Sequence, residues 1–250
     1  MRSVTARITK RTAVFAATLL AVGLSAGAAS AEDGASASWR SAVGVGTDFP
    51  VSVGVRGHLE APFRVRLSTS LGVLPGPYVD AINAFVVGVG GYGDSTADVV
   101  RSALSTSLVW RTHLGYRPLE RLGLHFEAGY GLVALGGSAT TSELLTAATG
   151  RALPSTDAGT SRSFDVASTL HMVDAEVGWD FPVAERFLLR ASLGGAFTIA
   201  SATSVTPDFQ PRAPGAIAEL SSSSESYLDD LYTSYVFTPV IGVSASFVLF

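Results

Sequence analysis

The segment 122–137, LGLHFEAGYGLVALGG, alternates between two kinds of side chain along most of its length. Leu124 and Phe126 fall on one parity, while His125 and Glu127 fall on the other. Because successive side chains of a strand point to opposite faces, this pattern predicts one long β-strand with an apolar and a polar face. Two folds accommodate such a strand. In a soluble β-sandwich the apolar face covers a protein core, and in a membrane barrel it contacts lipid.

Comparable alternating segments recur along the chain, and each is about long enough to cross a bilayer as a tilted strand. After residue 31 no run of 18 apolar residues occurs, so the pattern does not favour α-helical membrane spans. We predict eight strands, at roughly 39–47, 51–60, 64–74, 103–116, 122–136, 166–181, 187–200 and 236–250.

Short and long links alternate between these strands, apart from a very short first link at 48–50. The short links lie at 60–63, 117–121 and 182–186, and the long ones at 75–102, 137–165 and 201–235. In an up-and-down meander this places all three long links at one end, an arrangement typical of outer-membrane barrels and rare in soluble domains. The sequence therefore predicts an all-β fold, a single eight-stranded antiparallel up-and-down transmembrane β-barrel with both termini in the periplasm. A soluble exported β-sandwich is the alternative fold.

The long links are not plain coil. Helical spacing of apolar residues at 78–87, a capped pattern at 141–150 and the segment 221–235 predict short helices. We expect these helices to cap the external mouth of the barrel.

The first 31 residues have the pattern of a secretory signal peptide. A basic start (Arg2, Arg7, Lys10 and Arg11) precedes a short apolar run and a small-x-small site at 29–31, which predicts cleavage near Ala31 and a barrel domain at 32–250. Without the four basic residues of the leader, 13 arginines face 21 acidic residues. An acidic exported chain is a poor candidate for nucleic-acid binding. The chain has no cysteine, so disulfides and thiolate metal ligands are excluded.

The final strand ends in Phe250, and a terminal phenylalanine after an alternating strand resembles the assembly signal of bacterial outer-membrane barrels. With eight strands, the chain is similar to the small OmpA/OmpX/OmpW-type barrels of the Gram-negative cell envelope. The resemblance implies outer-membrane localisation, and it implies contacts with outer-membrane lipid, the barrel-assembly machinery and periplasmic chaperones. Phe250 shares the parity of Ser244 and Ser246, so either a bulge lies near the end or the signal is degenerate.

Nearly every strand charge falls on the parity that would face the lumen. The candidate lumen network, structural or involved in permeation, comprises Arg56, Arg66, Arg111, His113, His125, Glu127, Asp174, Glu176 and Arg190. Folding the chain about residues 119 and 184 predicts Arg111 opposite Glu127 as an ion pair, His113 opposite His125, and Glu176 diagonal to Arg190. Arg56 and Arg66 are expected to find anions among Asp174, Glu176 and Glu127. An eight-stranded barrel has room only for its own side chains or one small ligand.

These features favour a non-enzymatic outer-membrane barrel with a charge-filled lumen, a capped mouth and a structural or binding role. One alternative is a narrow, porin-like channel or transporter for small apolar solutes, as in the OmpW-like group. A second alternative is a lipid-modifying enzyme, with His171 near Asp165 and Ser168, or a trio of His125, Glu127 and Ser105 or Ser107. No cofactor motif and no metal-ligand spacing is found.

Overall fold

Eight antiparallel strands close into a ring in the computed structural model, which describes residues 39–88, 90, 97, 100, 101, 106–119, 122–140, 163–211, 214–234 and 237–250. The signal-peptide prediction at 1–31 lies outside these residues. The strands are β1 (Arg40–Phe49), β2 (Ser52–Glu60), β3 (Val65–Val73), β4 (Thr106–Leu119), β5 (Leu124–Thr140), β6 (Ser163–Ala184), β7 (Phe187–Pro207) and β8 (Phe237–Val248). Each strand pairs with its neighbours in sequence, and β1 pairs with β8. The predicted count and order of strands are confirmed.

The described residues of the three short links lie at one end of the barrel, together with Trp39 and Phe250, and we call this the turn end. The opposite end, which carries the long links, is called the loop end. At the turn end, Gly123 has a φ of +65° and its carbonyl accepts a hydrogen bond from the Asp180 amide at 3.0 Å. A side chain here would meet the Asp180 backbone, so the conformation and the close approach both favour glycine.

The strands β5, β6 and β7 are longer than expected, with 17, 22 and 21 residues. The predicted link 137–165 therefore contains strand residues at both ends, and the predicted link 201–235 contains them at its start. The added part of β7, at 201–207, has mostly small and hydroxyl-bearing residues on both parities. It lacks the contrast between apolar and polar faces on which the strand prediction depends. The reason is that it extends past the band of exposed apolar side chains around the barrel, which we call the apolar belt.

Two helices, α1 (Gly76–Gly88) and α2 (Pro214–Ser234), lie in the long links at the loop end. They correspond to the helices predicted at 78–87 and 221–235, and α2 begins seven residues earlier than expected at Pro214, a residue suited to a first helical turn. The helix predicted at 141–150 lies outside the described residues. No helix in the described ranges is long and apolar enough to span a membrane.

The outer surface of the ring is apolar, whereas the charged side chains are inside. Phe126 is 48% exposed and its neighbour Glu127 is 3% exposed. The same outward exposure holds for Val45, Leu67, Leu114, Leu193 and Val243. A water-soluble sandwich would reverse this arrangement, so the alternative of a soluble β-sandwich is wrong.

The register of β8 is continuous with β1 up to Val248 and with β7 up to Phe247. Beyond the strand, Leu249 and Phe250 both bond to Ser41, whose carbonyl accepts from the Leu249 amide at 2.8 Å, so two residues lie opposite one, as in the bulge considered above. The carbonyl of Phe250 accepts a hydrogen bond from the Ser41 amide at 3.0 Å, and the ring is 46% exposed. Because Phe250 follows the strand, strand parity does not decide the direction of its side chain. Its role as an assembly signal stays a prediction.

Candidate functional site in the barrel lumen

All nine side chains of the predicted lumen network lie inside the barrel. Their exposed fractions are 6% or less: Arg56, Arg66, Arg111, His113, His125, Glu127, Asp174, Glu176 and Arg190. Asp48, Glu60, Arg117 and Asp180 join them. We call these thirteen residues the charged tier. Charge on a lipid-facing surface is strongly unfavourable, and the interior offers partners instead.

Arg111 is the centre of the first cluster of the tier. Its Nε contacts Asp174 Oδ2 at 2.8 Å, its Nη1 contacts Asp48 Oδ2 at 2.8 Å, and its Nη2 donates to Glu176. Asp48 also accepts from Arg56 Nη2 at 2.5 Å. One guanidinium therefore joins carboxylates from β1 and β6, which lie on different sides of the ring.

Glu127 is the centre of the second cluster. Arg190 approaches it with two nitrogens, at 3.1 and 2.8 Å, Arg66 Nε lies 3.0 Å from Oε1, and the Ser68 hydroxyl donates at 2.9 Å. Arg190 Nη2 is also 3.4 Å from Glu176, which links this cluster to the first.

Asp180 extends the tier to the turn end. It accepts from Arg66, and Arg117 Nη2 lies 2.7 Å from it and 2.8 Å from Glu60. Sequence reasoning assigned Asp48, Glu60 and Arg117 to turns, yet all three reach inward from strand ends. Each of the three continues the inward parity of its strand by one more step, and that is the signal that could have identified them.

The predicted ion pair of Arg111 with Glu127 is wrong, and so is the pairing of His113 with His125. In the register, Arg111 faces Gly131, Glu127 faces Gly115 on β4, and His113 faces Gly129. The hairpin closes later than expected, because β4 continues to Leu119 with an irregularity after Tyr116. His113 Nε2 instead lies 2.8 Å from Asp174 Oδ1.

The partners expected for the other arginines are partly wrong. Arg56 contacts Asp48 rather than any of the three carboxylates considered, while Arg66 does contact Glu127. The predicted Glu176–Arg190 contact is present, although the register places Asp180 directly opposite Arg190.

Glycine opposite a large side chain is the feature that makes the tier possible. A glycine leaves room for the facing side chain to extend across the lumen instead of stopping at the neighbouring strand. The cross-strand pairs of this kind include Arg111–Gly131, His113–Gly129, Glu127–Gly115, His125–Gly178 and Glu176–Gly194. Most arginine–carboxylate pairs of the tier therefore join strands that do not neighbour each other, and the exceptions are Arg56–Asp48 and Arg190–Glu176.

Water has little room within the charged tier. Arg66, Arg111, His113 and His125 are each less than about 2% exposed, and a void of only about 10 Å³ lies beside Asp48 and Arg56. That volume is about the minimum for one water molecule. The tier is therefore a closed floor across the barrel.

Above this floor, the inward-facing side chains become apolar. Val133, Leu135, Leu170 and Met172 line a cavity of about 280 Å³ that helices α1 and α2 cover with Ala81, Val86, Leu231 and Tyr232. We call this cavity the apolar chamber. The charged network expected in the lumen lies in the half of the barrel nearer the turn end, and the half nearer the loop end packs against apolar helices.

The chamber also reaches the outer surface of the ring. Phe49 and Ile241, which are paired across β1 and β8, line it and are 40% and 53% exposed. Helix α1 lies above them, with the Tyr78 ring against Phe49 at 4.9 Å and the Tyr78 hydroxyl 2.6 Å from Thr47 Oγ1. The strands β1 and β2 are short, so the barrel wall ends earlier here than at β5, β6 and β7, and α1 lies beyond their loop-end residues.

The predicted catalytic arrangements are not assembled among the described residues. Ser168 is buried on the inner side of β6, whereas His171 lies on the opposite parity and its Nδ1 bonds to the Tyr130 hydroxyl. Ser107 Oγ bonds to Leu74 at the loop end, far along β4 from the strand end that faces His125. Ser105 is outside the described residues. In the described part of the chain, no group of three His, Asp or Glu side chains is placed to hold a metal ion.

The wall is a closed antiparallel ring with an apolar exterior and a charged, water-poor interior, and the pairing of β1 with β8 leaves no free edge strand. Because a sheet can span lipid only when it closes on itself, this arrangement defines a transmembrane β-barrel of the outer-membrane class. Among solved structures, the chain is similar to a major outer membrane protein from Thermus thermophilus, at 15% identity and a TM-score of 0.44 over 85% of this chain and 100% of that chain. It is also similar to CarO2 of Acinetobacter baumannii (12% identity, TM-score 0.37, 84% of this chain and 98% of that chain) and to CarO of the same organism (12%, 0.34, 83% and 96%). No family model and no curated protein matches the chain.

Proposed function

We propose that this protein is a non-enzymatic, non-conducting outer-membrane barrel that binds a small apolar molecule in the apolar chamber. The observation that carries the proposal is the combination of an apolar cavity of about 280 Å³ with a closed charged floor beneath it. Ligand pockets are typically concave, mostly apolar and of a few hundred Å³. The leader is cleaved near Ala31, and the loop end faces the outside of the cell.

The charged tier supports the absence of conduction. A continuous pore would require separating Arg111 from its three carboxylates and Arg190 from Glu127, each within about 3 Å. Breaking a buried ion pair leaves an uncompensated charge in a poorly hydrated interior, which is strongly unfavourable. The tier therefore has a structural role, and ligand enters and leaves on the loop side of it.

The lateral reach of the chamber supports a ligand that partitions into lipid. Phe49 and Ile241 belong both to the chamber and to the lipid-facing surface. A molecule dissolved in the membrane can thus reach the chamber without crossing the charged tier.

Two measurements on the purified barrel in lipid test this function. In planar bilayers we expect no single-channel steps, and stable steps would support the channel alternative and contradict the proposal. In nanodiscs we expect saturable binding of 2-ethylnaphthalene, an uncharged fluorophore, above its partitioning into empty nanodiscs.

A matched pair of substitutions on α1 locates the binding. Ala81 lines the chamber, whereas Ala84 is exposed on the same helix. Ala81→Phe should fill the cavity and weaken binding at least about tenfold, and Ala84→Phe should bind as the parent does. Equal binding by both variants would place the probe elsewhere.

A further inference from the structure

Within the described part of the chain, two threonine hydroxyls are the polar side-chain groups that the apolar chamber offers to a ligand. Thr198 and Thr238 line the chamber, the other lining residues are aliphatic or aromatic, and none is charged. The hydroxyl of Tyr232, which also belongs to the lining, is enclosed beside Ser168 and does not face the chamber. A ligand in the chamber can therefore meet polar side-chain atoms at the two threonines.

The two threonines lie close together on the inner face of the barrel. Thr198 is a buried residue of β7, and Thr238 on β8 shares the parity of the buried Val240. Because Ala196 lies directly opposite Thr238, Thr198 is the diagonal neighbour of Thr238. Diagonal neighbours of this kind are about 7–8 Å apart. One small group placed between the two side chains can thus contact both hydroxyls.

A bulge in β7 leaves space beside Thr198. The register of β6 and β7 shifts after Met172, the residue opposite Thr198, so that Ile199 is an extra residue in β7. The next inward side chain is therefore that of Ser201, three positions on instead of two. β-Bulges are frequent next to active sites, where they redirect a side chain or interrupt pairing.

The hydroxyls of Thr198 and Thr238 form no hydrogen bond with another described residue. On the same strand, by contrast, the Thr203 hydroxyl donates to Asp229 at 2.7 Å and lies 2.9 Å from that of Ser168. Both oxygen atoms remain accessible, whereas that of Tyr232 is enclosed. A hydroxyl group without a partner in an apolar surrounding is unfavourable, so a ligand that supplies a partner gains a hydrogen bond.

We propose that the ligand of the chamber is an uncharged alcohol, with an apolar body and one hydroxyl group that Thr198 and Thr238 bind together. This inference rests on the proposed binding function and specifies its ligand class. A threonine hydroxyl both donates and accepts, so a ligand hydroxyl can donate to one threonine and accept from the other, whereas an ether oxygen can only accept. A carboxylate or an ammonium group is disfavoured, since the lining offers no counter-ion.

Three probes of equal size test the proposal: 2-naphthalenemethanol, which carries a hydroxyl group, 2-methoxynaphthalene, which carries an ether oxygen, and 2-ethylnaphthalene, which carries neither. Binding is titrated by fluorescence with the barrel in nanodiscs, and each affinity is divided by the partitioning of the probe into empty nanodiscs. In the parent protein we expect the alcohol to bind about tenfold more tightly than the hydrocarbon, as two neutral hydrogen bonds would give, with the ether between them.

The double variant Thr198→Val, Thr238→Val removes both hydroxyls and keeps β-branched side chains that suit a strand. In this variant the preference for the alcohol should fall to about one. Thr206→Val is the matched control, since Thr206 is exposed on β7 and does not line the chamber. It should retain the preference of the parent.

A preference for the alcohol that persists in the double variant would overturn the inference and leave the binding function intact. So would a parent protein that binds the hydrocarbon or the ether as tightly as the alcohol. If the parent binds none of the three probes, the binding function fails and the inference with it. If the double variant does not fold, as judged by heat-modifiable gel migration, the order of the three affinities in the parent still decides the inference.

Discussion

Glu127 on β5 lies directly opposite Glu176 on β6, so two carboxylates face each other across neighbouring strands inside the barrel. Arg190 joins them, at 2.8 Å from Glu127 and 3.4 Å from Glu176. Like charges in directly opposed positions are destabilising. The pair is therefore tolerated only because arginines from β3, β4 and β7 converge on it.

Replacing Arg190 by methionine should leave the two carboxylates unbalanced. We expect a loss of about 3–5 kcal/mol in the free energy of unfolding, as for other buried ion pairs that lose one partner. Urea titration of the barrel in lipid vesicles measures this change. Arg186→Met, at an exposed arginine of the β6–β7 turn, is the control and should differ little from the parent. If both variants were equally stable, Arg190 would not hold the tier together.

Gly129 should be intolerant of even a methyl group. A Cβ at this position would overlap the His113 ring and the Thr112 carbonyl oxygen, whereas at Gly136 of the same strand the nearest atom would be 4.0 Å away. We expect Gly129→Ala to cost about 1–3 kcal/mol of unfolding free energy. Gly136→Ala should be close to neutral in the same urea titration. An unaffected Gly129→Ala would mean that the tier repacks easily, contrary to the role assigned to the glycines.

Leu193 tests the contact of the outer surface with lipid. This side chain is 58% exposed and lies midway along 187–199, the part of β7 that precedes its small and hydroxyl-bearing end. Leu193→Arg should cost about 2–4 kcal/mol, the range found for arginine near the bilayer midplane. Heat-modifiable gel migration reports the folded fraction, since an unboiled barrel of this class migrates anomalously.

Ser222 provides the comparison, because it is exposed on α2 at the loop end. Ser222→Arg should leave the folded fraction in lipid vesicles unchanged. If Leu193→Arg folded equally well, the apolar belt would not face hydrocarbon and the transmembrane assignment would fail.

The local pattern of the sequence was sufficient for the architecture. The period of two residues placed Phe126 outside and Glu127 inside, and the alternation of link lengths predicted eight strands in a meander. Both signals are local: side chains alternate on every strand, and charge is too unfavourable in lipid to appear on the outer parity. The loop-end residues of β5, β6 and β7 were not predicted as strand. Beyond the apolar belt, strand residues need not alternate between apolar and polar side chains.

Only the tertiary structure decided which charges meet. Arg111 faces a glycine on the neighbouring strand and reaches Asp48 on β1 and Asp174 on β6, a choice that depends on where each hairpin closes and on how the ring brings distant strands together. The chamber was likewise not visible in the sequence, because its wall comes from residues of β1, β5, β6, β7, β8 and two helices, none of which is distinctive alone. Parity along a strand is a property of successive residues, whereas pairing across a lumen is a property of the closed barrel.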